Sequence, residues 1–124
     1  MTLLVDQGNS RWKITTRTGL ASGQVITGDN ADLDGFRHAA MELLDGREPA
    51  LMSSVAADTV QDTCAGLLEA ITERPTRRIQ STDTLPGVVA GYRDNSLLGV
   101  DRLLAMVAVR AVCRDGFCVV DAGT

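Results

Sequence analysis

Aromatic residues are scarce in this sequence, where Phe, Trp and Tyr together make up 3% of 124 residues. The hydrophobic core must therefore be built mainly from Ala, Val, Leu and Ile, and a hydrophobic content of 44% can supply them. Long apolar runs are also missing, since no stretch approaches the ~18 apolar residues that a membrane span requires. The first apolar run, Leu3 to Val5, meets a charge at Asp6, so we expect no signal peptide. These absences predict a soluble, cytoplasmic protein without a membrane partner.

A surplus of basic residues is absent as well. Twelve Lys and Arg residues against 16 Asp and Glu residues give a net charge of −4. Surfaces that bind nucleic acid usually carry a basic stripe, so we expect no nucleic-acid partner. The length is that of one ordinary domain with a sizeable core.

Residues that ligate soft metals are few. The chain has three cysteines, Cys64, Cys113 and Cys118, a single histidine, His38, and no CxxC pair. This pattern supports neither a zinc site nor a disulfide framework. We interpret the three cysteines, which lie among apolar residues, as buried thiols of a reducing compartment.

The spacing of apolar residues predicts an α/β fold. Short strands are expected at Leu3 to Val5, after residue 10 with Trp12, Ile14 and Thr16 on one face, and within "ASGQVITG", which together suggest an antiparallel three-strand meander. Helical spacing follows over residues 33–44, over residues 60–71 with Asp58 as the expected N-cap, and over residues 98–114. Strands are predicted at "ALMSSV", "RRIQ" and "GFCVVDAGT". Strands that alternate with helices after a meander predict a mixed sheet with flanking helices.

Two segments of the chain repeat one pattern. "LLVDQGNS" and "CVVDAGT" both consist of apolar residues, an aspartate, one variable residue and a glycine, with a hydroxyl residue close behind. Their aspartates, Asp6 and Asp121, are 115 positions apart (121 minus 6), about the length of one small domain. We therefore predict one domain over residues 1–115, and a second over residues 116–124 of which only the first strand and turn are present. The chain is expected to be a fragment.

An Asp-x-Gly turn at the end of a strand can bind an anion. Its backbone N–H groups point outward with no Cβ in the way, which suits a phosphate. Hydroxyl groups at Ser10 and Thr124 can donate further hydrogen bonds, and Lys13 can reach a phosphate as a point charge. Asp6 and Asp121 would instead hold a cation, or its water, that bridges to phosphate oxygens. A single such motif is more often a plain turn, but two copies on apolar strands favour a polyphosphate site.

A third motif opens the last predicted helix, in "GYRDNSLLGVDRLLAM". An aspartate in the first helical turn, such as Asp101, is favoured by the helix dipole alone, and that interpretation stays open. Arg102 is electrostatically less favoured at that end of a helix. Together the two could form a substrate site in which Arg102 holds a carboxylate and Asp101 accepts a hydroxyl proton.

The segments "DQGNSRWK", "GY" followed by "LGVDR", and "DAGT" resemble, in order and approximate spacing, the motifs of type III pantothenate kinases. That family belongs to the superfamily of acetate and sugar kinases, heat-shock-70 proteins and actin. The resemblance covers the whole chain and implies a ribonuclease H-like (actin-like ATPase) domain, the first of two similar domains. It implies phosphorylation of pantothenate with ATP to 4′-phosphopantothenate, the first step of coenzyme A biosynthesis. As the N-terminal half, the chain is expected to be inactive alone.

The resemblance also implies roles for individual residues. ATP phosphates would be bound by Asp6, Gly8, Asn9, Ser10, Lys13, Gly123 and Thr124, and a monovalent cation (K⁺ or NH₄⁺) by Asp121. Pantothenate would be bound by Tyr92, Gly99, Val100, Asp101 and Arg102, with Asp101 as the general base. Mg²⁺ would accompany ATP, and the protein would be a homodimer with the pantothenate site near its interface.

Two alternatives remain from the sequence. The first is a non-catalytic regulatory or accessory protein that retains the kinase fold, and the second is a relative of the sugar or acetate kinases. The "GVDR" segment favours pantothenate over the second alternative. Retention of Lys13, Asp101 and Asp121 together favours an enzyme over the first.

Overall fold

The computed structural model describes residues 1–120. By its internal contacts the chain forms two compact units, Met1–Ile79 and Gln80–Thr124. The strands are β1 (Leu3–Gln7), β2 (Arg11–Thr16), β3 (Ile26–Asp29), β4 (Leu51–Ser54) and β5 (Arg77–Ile79). The helices are α1 (Arg17–Ser22), α2 (Leu33–Leu43), α3 (Asp58–Thr72) and α4 (Val100–Val112), with a short 3₁₀ turn at Asn95–Leu97.

The five strands form one sheet in the order β3-β2-β1-β4-β5. β1 pairs antiparallel with β2, and β2 pairs antiparallel with β3, whereas β1, β4 and β5 run parallel. The parallel strands need crossover connections, which are the chain segments that contain α2 and α3. The predicted mixed sheet with an antiparallel meander and flanking helices is confirmed.

The core lies on one face of the sheet. Leu3 and Val5 of β1 share this face with Trp12 and Ile14 of β2, and all four are buried. The Trp12 ring meets the Phe36 ring of α2 edge to face, with 5.6 Å between the ring centroids, a favourable aromatic geometry. The predicted alternation along β2 is therefore correct.

Gly28 lets the Trp12 ring lie close to the edge strand. The two residues are direct partners across β2 and β3, and a Cβ added at Gly28 would overlap the Trp12 ring. The glycine therefore provides the space that the only tryptophan of the chain occupies.

Helix α1 was not predicted. Thr16 caps it, because its Oγ1 accepts a hydrogen bond from the N–H of Gly19 at 3.0 Å, and Gly23 ends it with a φ of 77°. A side-chain cap and a left-handed glycine define a short helix even where apolar periodicity is missing. The third strand of the meander is accordingly shorter than expected and begins at Ile26.

The later helices needed smaller corrections. The N-cap of α3 is Ala57, not Asp58, so that prediction was wrong. Asp58 lies one position further along, in the first turn, where the helix dipole favours a carboxylate. α4 begins at Val100 and ends at Val112, inside the predicted range of residues 98–114.

The predicted closing strand is not present in residues 116–120, which adopt no regular structure. A strand requires a hydrogen-bonded neighbour, and none of the residues 1–120 pairs with this segment. Val120 is accordingly 84% exposed. Residues 121–124 lie outside the described part, and a second domain beginning at residue 116 stays a prediction.

Two further sequence expectations concern the burial of the thiols and the lack of a membrane span. Of the three thiols, Cys64 is buried, Cys113 is half-buried and Cys118 is exposed, so the expectation was wrong for Cys118. In the described part of the chain, every helix is too short or too polar to cross a bilayer.

Candidate functional site

The hairpin formed by β1 and β2 has a two-residue loop at its tip, made of Asn9 and Ser10. Gly8 and Arg11 flank it, and the N–H of Gly8 donates to the carbonyl oxygen of Arg11 at 2.8 Å. Within residues 1–120, neither the N–H of Asn9 nor that of Ser10 donates a hydrogen bond, and the Ser10 hydroxyl also makes none. Both residues are exposed. The loop therefore offers two backbone N–H groups and one O–H group to an anion.

Gly8 is not required by the backbone of this loop. Its φ is not positive, and an added Cβ would meet only the Arg11 carbonyl oxygen at 3.5 Å, an ordinary contact. Glycine at this position therefore does not relieve strain. It leaves the space beside the loop free of a side chain, as a close approach by a phosphate requires.

A row of polar side chains crosses the other face of the sheet beside this loop. Asp6 of β1 is the direct partner of Lys13 on β2 and of Ser53 on β4. Lys13 Nζ lies 3.3 Å from Asp6 Oδ2, and Ser53 Oγ donates to Asp6 Oδ1, also at 3.3 Å. The side chains of Asp6 and Lys13 are 51% and 59% exposed. The structure therefore brings five predicted phosphate-binding residues together at one end of the hairpin: Asp6, Gly8, Asn9, Ser10 and Lys13.

The ion pair between Asp6 and Lys13 can be exchanged at little cost. Pairs between exposed side chains contribute about 0–1 kcal/mol, because water screens them and both side chains lose freedom. Lys13 can therefore leave Asp6 for a phosphate group. Asp6 then retains the hydrogen bond from Ser53 and a free carboxylate oxygen.

A cage of protein ligands for a metal ion is absent from residues 1–120, where no three His, Cys, Asp or Glu side chains converge. Mg²⁺ does not need such a cage, since it usually keeps several waters and binds through one or two carboxylates and substrate phosphates. The exposed carboxylate of Asp6 beside the loop fits that mode. Asp121, Gly123 and Thr124 lie outside the described residues, so their roles stay predictions.

The second candidate site lies in the unit Gln80–Thr124, at the start of α4. Gly99 is the N-cap and provides no side-chain cap, and its carbonyl oxygen accepts from the N–H groups of Arg102 and Leu103. Asp101 Oδ1 accepts from the Arg102 N–H at 2.9 Å. A Cβ added at Gly99 would lie 2.5 Å from Asp101 Oδ1. Glycine at the cap therefore gives the Asp101 carboxylate room to turn back over the helix start.

A cavity of about 430 Å³ lies along α4. Tyr92 and Arg102 both line it, together with apolar side chains that include Met106 and Phe117. Its volume is in the range of small-molecule sites. Asp101 is exposed and is not part of the lining, although it directly precedes Arg102. Val100 is buried, so only its backbone could contact a ligand.

Sequence reasoning missed two residues that contact the loop and its polar row. Ser53 lies in a segment whose apolar residues predict only a buried strand. The parallel pairing of β4 with β1 is what places Ser53 beside Asp6. Asn30, whose side chain donates to the carbonyl oxygen of Gly8, follows β3 and has no motif of its own. Phe117 and Met106 also carried no signal for a cavity.

Comparison with known proteins agrees with these motifs. Residues 2–124 match the family model described as type III pantothenate kinase. The chain is similar to type III pantothenate kinases of Halorhodospira halophila, at 33% identity over 135 residues, and of Teredinibacter turnerae, at 35% identity over 125 residues. The relative from Marinobacter nauticus, with the same description, is 31% identical over 126 residues.

These matches span the whole of this chain but only part of each relative. The aligned residues make up 52% of the Halorhodospira protein and 50% of each of the other two. The chain therefore spans about half the length of the curated relatives it matches. Its mixed five-strand sheet with flanking helices is consistent with the N-terminal half of an actin-like ATPase. By its family model, which covers nearly every residue, this chain belongs to the type III pantothenate kinase family.

Proposed function

We propose that this chain forms the N-terminal half of an enzyme that transfers the γ-phosphoryl group of ATP to pantothenate. The product is 4′-phosphopantothenate, and the reaction is the first step of coenzyme A biosynthesis. One observation carries the proposal beyond family membership. The loop that matches the family's first phosphate motif has two N–H groups, at Asn9 and Ser10, that donate to no acceptor within residues 1–120 and lie beside the exposed Lys13.

The loop binds and positions phosphate groups. The N–H groups of Asn9 and Ser10 and the Ser10 hydroxyl donate to phosphate oxygens, and Lys13 adds a positive charge. In phosphoryl transfer such positioning and charge neutralisation provide most of the catalysis. Asp6 would hold Mg²⁺ through a carboxylate oxygen, and the ion would neutralise phosphate charge. Gly123 and Thr124 would bind ATP from a second turn, with Asp121 as the ligand of K⁺ or NH₄⁺.

Pantothenate carries a carboxylate at one end and a primary hydroxyl at the other, with an apolar dimethyl group beside the hydroxyl. Arg102 can bind the carboxylate through two N–H groups, and the cavity that it lines with Tyr92 and apolar side chains suits the rest of the molecule. Asp101 accepts the proton of the attacking hydroxyl. The hydroxyl oxygen forms a bond to the γ-phosphorus, the bond to ADP breaks, and ADP leaves.

The proposal has consequences for the assembly and location of the protein. We propose that the chain is inactive alone, because it spans only about half the length of the curated relatives it matches. We further propose that the active protein is a cytoplasmic homodimer that binds neither nucleic acid nor membranes.

The test is an assay of the protein from the complete reading frame with MgATP and pantothenate, in buffers containing K⁺, NH₄⁺ or Na⁺. Formation of ADP and 4′-phosphopantothenate in equal amounts, measured by mass spectrometry, is the expected result. ADP formation that does not depend on pantothenate would contradict the proposed substrate. Binding of MgATP without any product would instead favour the accessory role.

A further inference from the structure

Asn30 is held against the Asn9–Ser10 loop by two hydrogen bonds. Its side-chain Nδ2 donates to the carbonyl oxygen of Gly8 at 2.9 Å. Its backbone N–H donates to the carbonyl oxygen of Ser10, also at 2.9 Å. A single residue of the β3–α2 connection therefore holds the carbonyl groups of Gly8 and Ser10, which flank the Asn9–Ser10 peptide.

The side-chain bond determines where the Asn9 N–H points, and the backbone bond holds the far side of the loop. In a trans peptide the C=O and the following N–H point in opposite directions. The carbonyl of Gly8 shares its peptide unit with the N–H of Asn9. Because Asn30 draws that carbonyl toward itself, the N–H of Asn9 faces away from Asn30. The bond to the Ser10 carbonyl fixes the peptide on the other side, and the peptide between Asn9 and Ser10 is thereby held at both ends.

The chemistry of Asn30 is specific to this contact. The Gly8 carbonyl can only accept a hydrogen bond, so it requires the NH₂ end of the amide. Asn30 Oδ1 is then buried and accepts no hydrogen bond from residues 1–120. A buried acceptor without a partner is destabilising. The asparagine therefore makes its bond to Gly8 while its other amide atom stays unpaired among residues 1–120, which suits a role in orienting the loop.

We propose that Asn30 is a positioning residue for phosphate binding. Its side chain does not touch ATP but holds the Gly8–Asn9 peptide so that the Asn9 N–H points toward the phosphates, while its backbone N–H holds the far side of the loop. This role rests on the proposed function, since it presumes that the loop binds a polyphosphate. It predicts that Asn30 controls the use of ATP and leaves the binding of pantothenate unchanged.

The test compares Asn30→Ala and Asn30→Asp with a matched control in the protein from the complete reading frame. The control is Thr76→Val, because Thr76 Oγ1 also donates to a backbone carbonyl, that of Ala65 at 3.1 Å, but Thr76 lies between α3 and β5 and not beside the hairpin. We expect the KM for MgATP to rise about tenfold or more in Asn30→Ala, as for other small displacements of binding groups. The rise should be larger in Asn30→Asp, whose charge repels both the Gly8 carbonyl and phosphate. The KM for pantothenate should not change, and Thr76→Val should alter neither constant.

Amide shifts of ¹⁵N-labelled protein separate this proposal from the proposed function. On titration with MgATP, the Asn9 amide should shift in the wild type and in Thr76→Val but not in Asn30→Ala. The Ser10 amide should still shift in Asn30→Ala, because the backbone N–H of Asn30 keeps its hydrogen bond to the Ser10 carbonyl. This pattern supports the positioning role even if pantothenate proves not to be the acceptor. The role is overturned if Asn30→Ala retains both the wild-type KM for MgATP and the wild-type Asn9 shift, if Thr76→Val matches its defect, or if MgATP shifts neither amide in the wild type.

Discussion

Asp6 and Lys13 are direct partners across β1 and β2, and their charged groups lie 3.3 Å apart on the exposed face of the hairpin. The pair is separated by only seven positions in the sequence, because a two-residue loop joins the strands. A short hairpin therefore brings together an acidic side chain, a basic side chain and two backbone N–H groups that have no acceptor within residues 1–120. The same arrangement keeps Lys13 close to the loop while no anion is bound.

Lys13 should matter for ATP and little for folding. In Lys13→Met we expect the KM for MgATP to rise about tenfold through loss of a charge-assisted bond. The free energy of unfolding should change by less than about 1 kcal/mol, since the ion pair is exposed. Steady-state kinetics and urea unfolding measure the two effects. Arg47→Met, which removes an exposed pair with Glu73, is the control. An equal kinetic loss in that control would show that the effect is not specific to the phosphate loop.

Asp101 should affect turnover and not the binding of ATP. In Asp101→Asn we expect kcat to fall about 10²–10⁴-fold, the usual contribution of a general base. The Kd for MgATP, from calorimetry, should remain within twofold, because in the proposed mechanism Asp101 contacts the pantothenate hydroxyl and not the nucleotide. Asp94→Asn, which removes a carboxylate that caps the nearby 3₁₀ turn, is the comparison. Wild-type turnover in Asp101→Asn would remove Asp101 from the mechanism.

Two glycine substitutions should have opposite effects on stability. Gly28→Ala introduces a Cβ that overlaps the Trp12 ring, and overpacking of this kind costs about 1–3 kcal/mol. Gly66→Ala lies in α3 at a site where an added Cβ meets no atom within 4 Å, and it should stabilise by about 0.5–1 kcal/mol. Thermal unfolding of both variants checks the signs. A neutral Gly28→Ala would mean that the Trp12 ring can move aside without loss.

The buried thiol of Cys64 should make stability depend on alkaline pH. Burial raises the pKa of Cys64 above its ordinary value of 9.0, and the hydrogen bond from Gln7 opposes this only in part. A pKa that is higher in the folded than in the unfolded state gives stability that is present below pH 9 and is lost as the pH rises through the folded pKa. In Cys64→Ser this contribution should disappear, so its free energy of unfolding should fall less between pH 8.5 and 10.5, a range set around that value. Cys118→Ser, which removes an exposed thiol, should keep the wild-type slope, and a slope as shallow as that of Cys64→Ser would contradict the assignment.

The sequence predicted the elements whose signal is local. Burial alternates over residues 11–14 of β2 and recurs at helical spacing around Phe36, as predicted for one apolar face against one core, although Thr15 is buried as well. Helix α1 was missed because its residues have no apolar stripe, and a cap at Thr16 and the turn at Gly23 define it instead. The segment over residues 116–120 is as apolar as a strand, but pairing, not composition, makes a strand.

The candidate site was predictable to the extent that it is continuous in sequence. Asp6, Lys13 and the loop between them lie in one hairpin, so a single motif reported them together. Ser53 reaches Asp6 from 47 positions away and Asn30 reaches Gly8 from 22 positions away. Such contacts depend on the order of the strands, which a single sequence does not specify.

The meander has a consequence for the order in which the chain acquires structure. β1, β2 and β3 are complete by residue 29, and their two antiparallel pairings join strands that follow one another along the chain. Contacts between nearby residues form fastest. During synthesis the hairpin that carries the Asn9–Ser10 loop can therefore form before β4 and β5 are made. The proposed phosphate loop would then have its shape early, and the two parallel strands would be added to a meander that already exists.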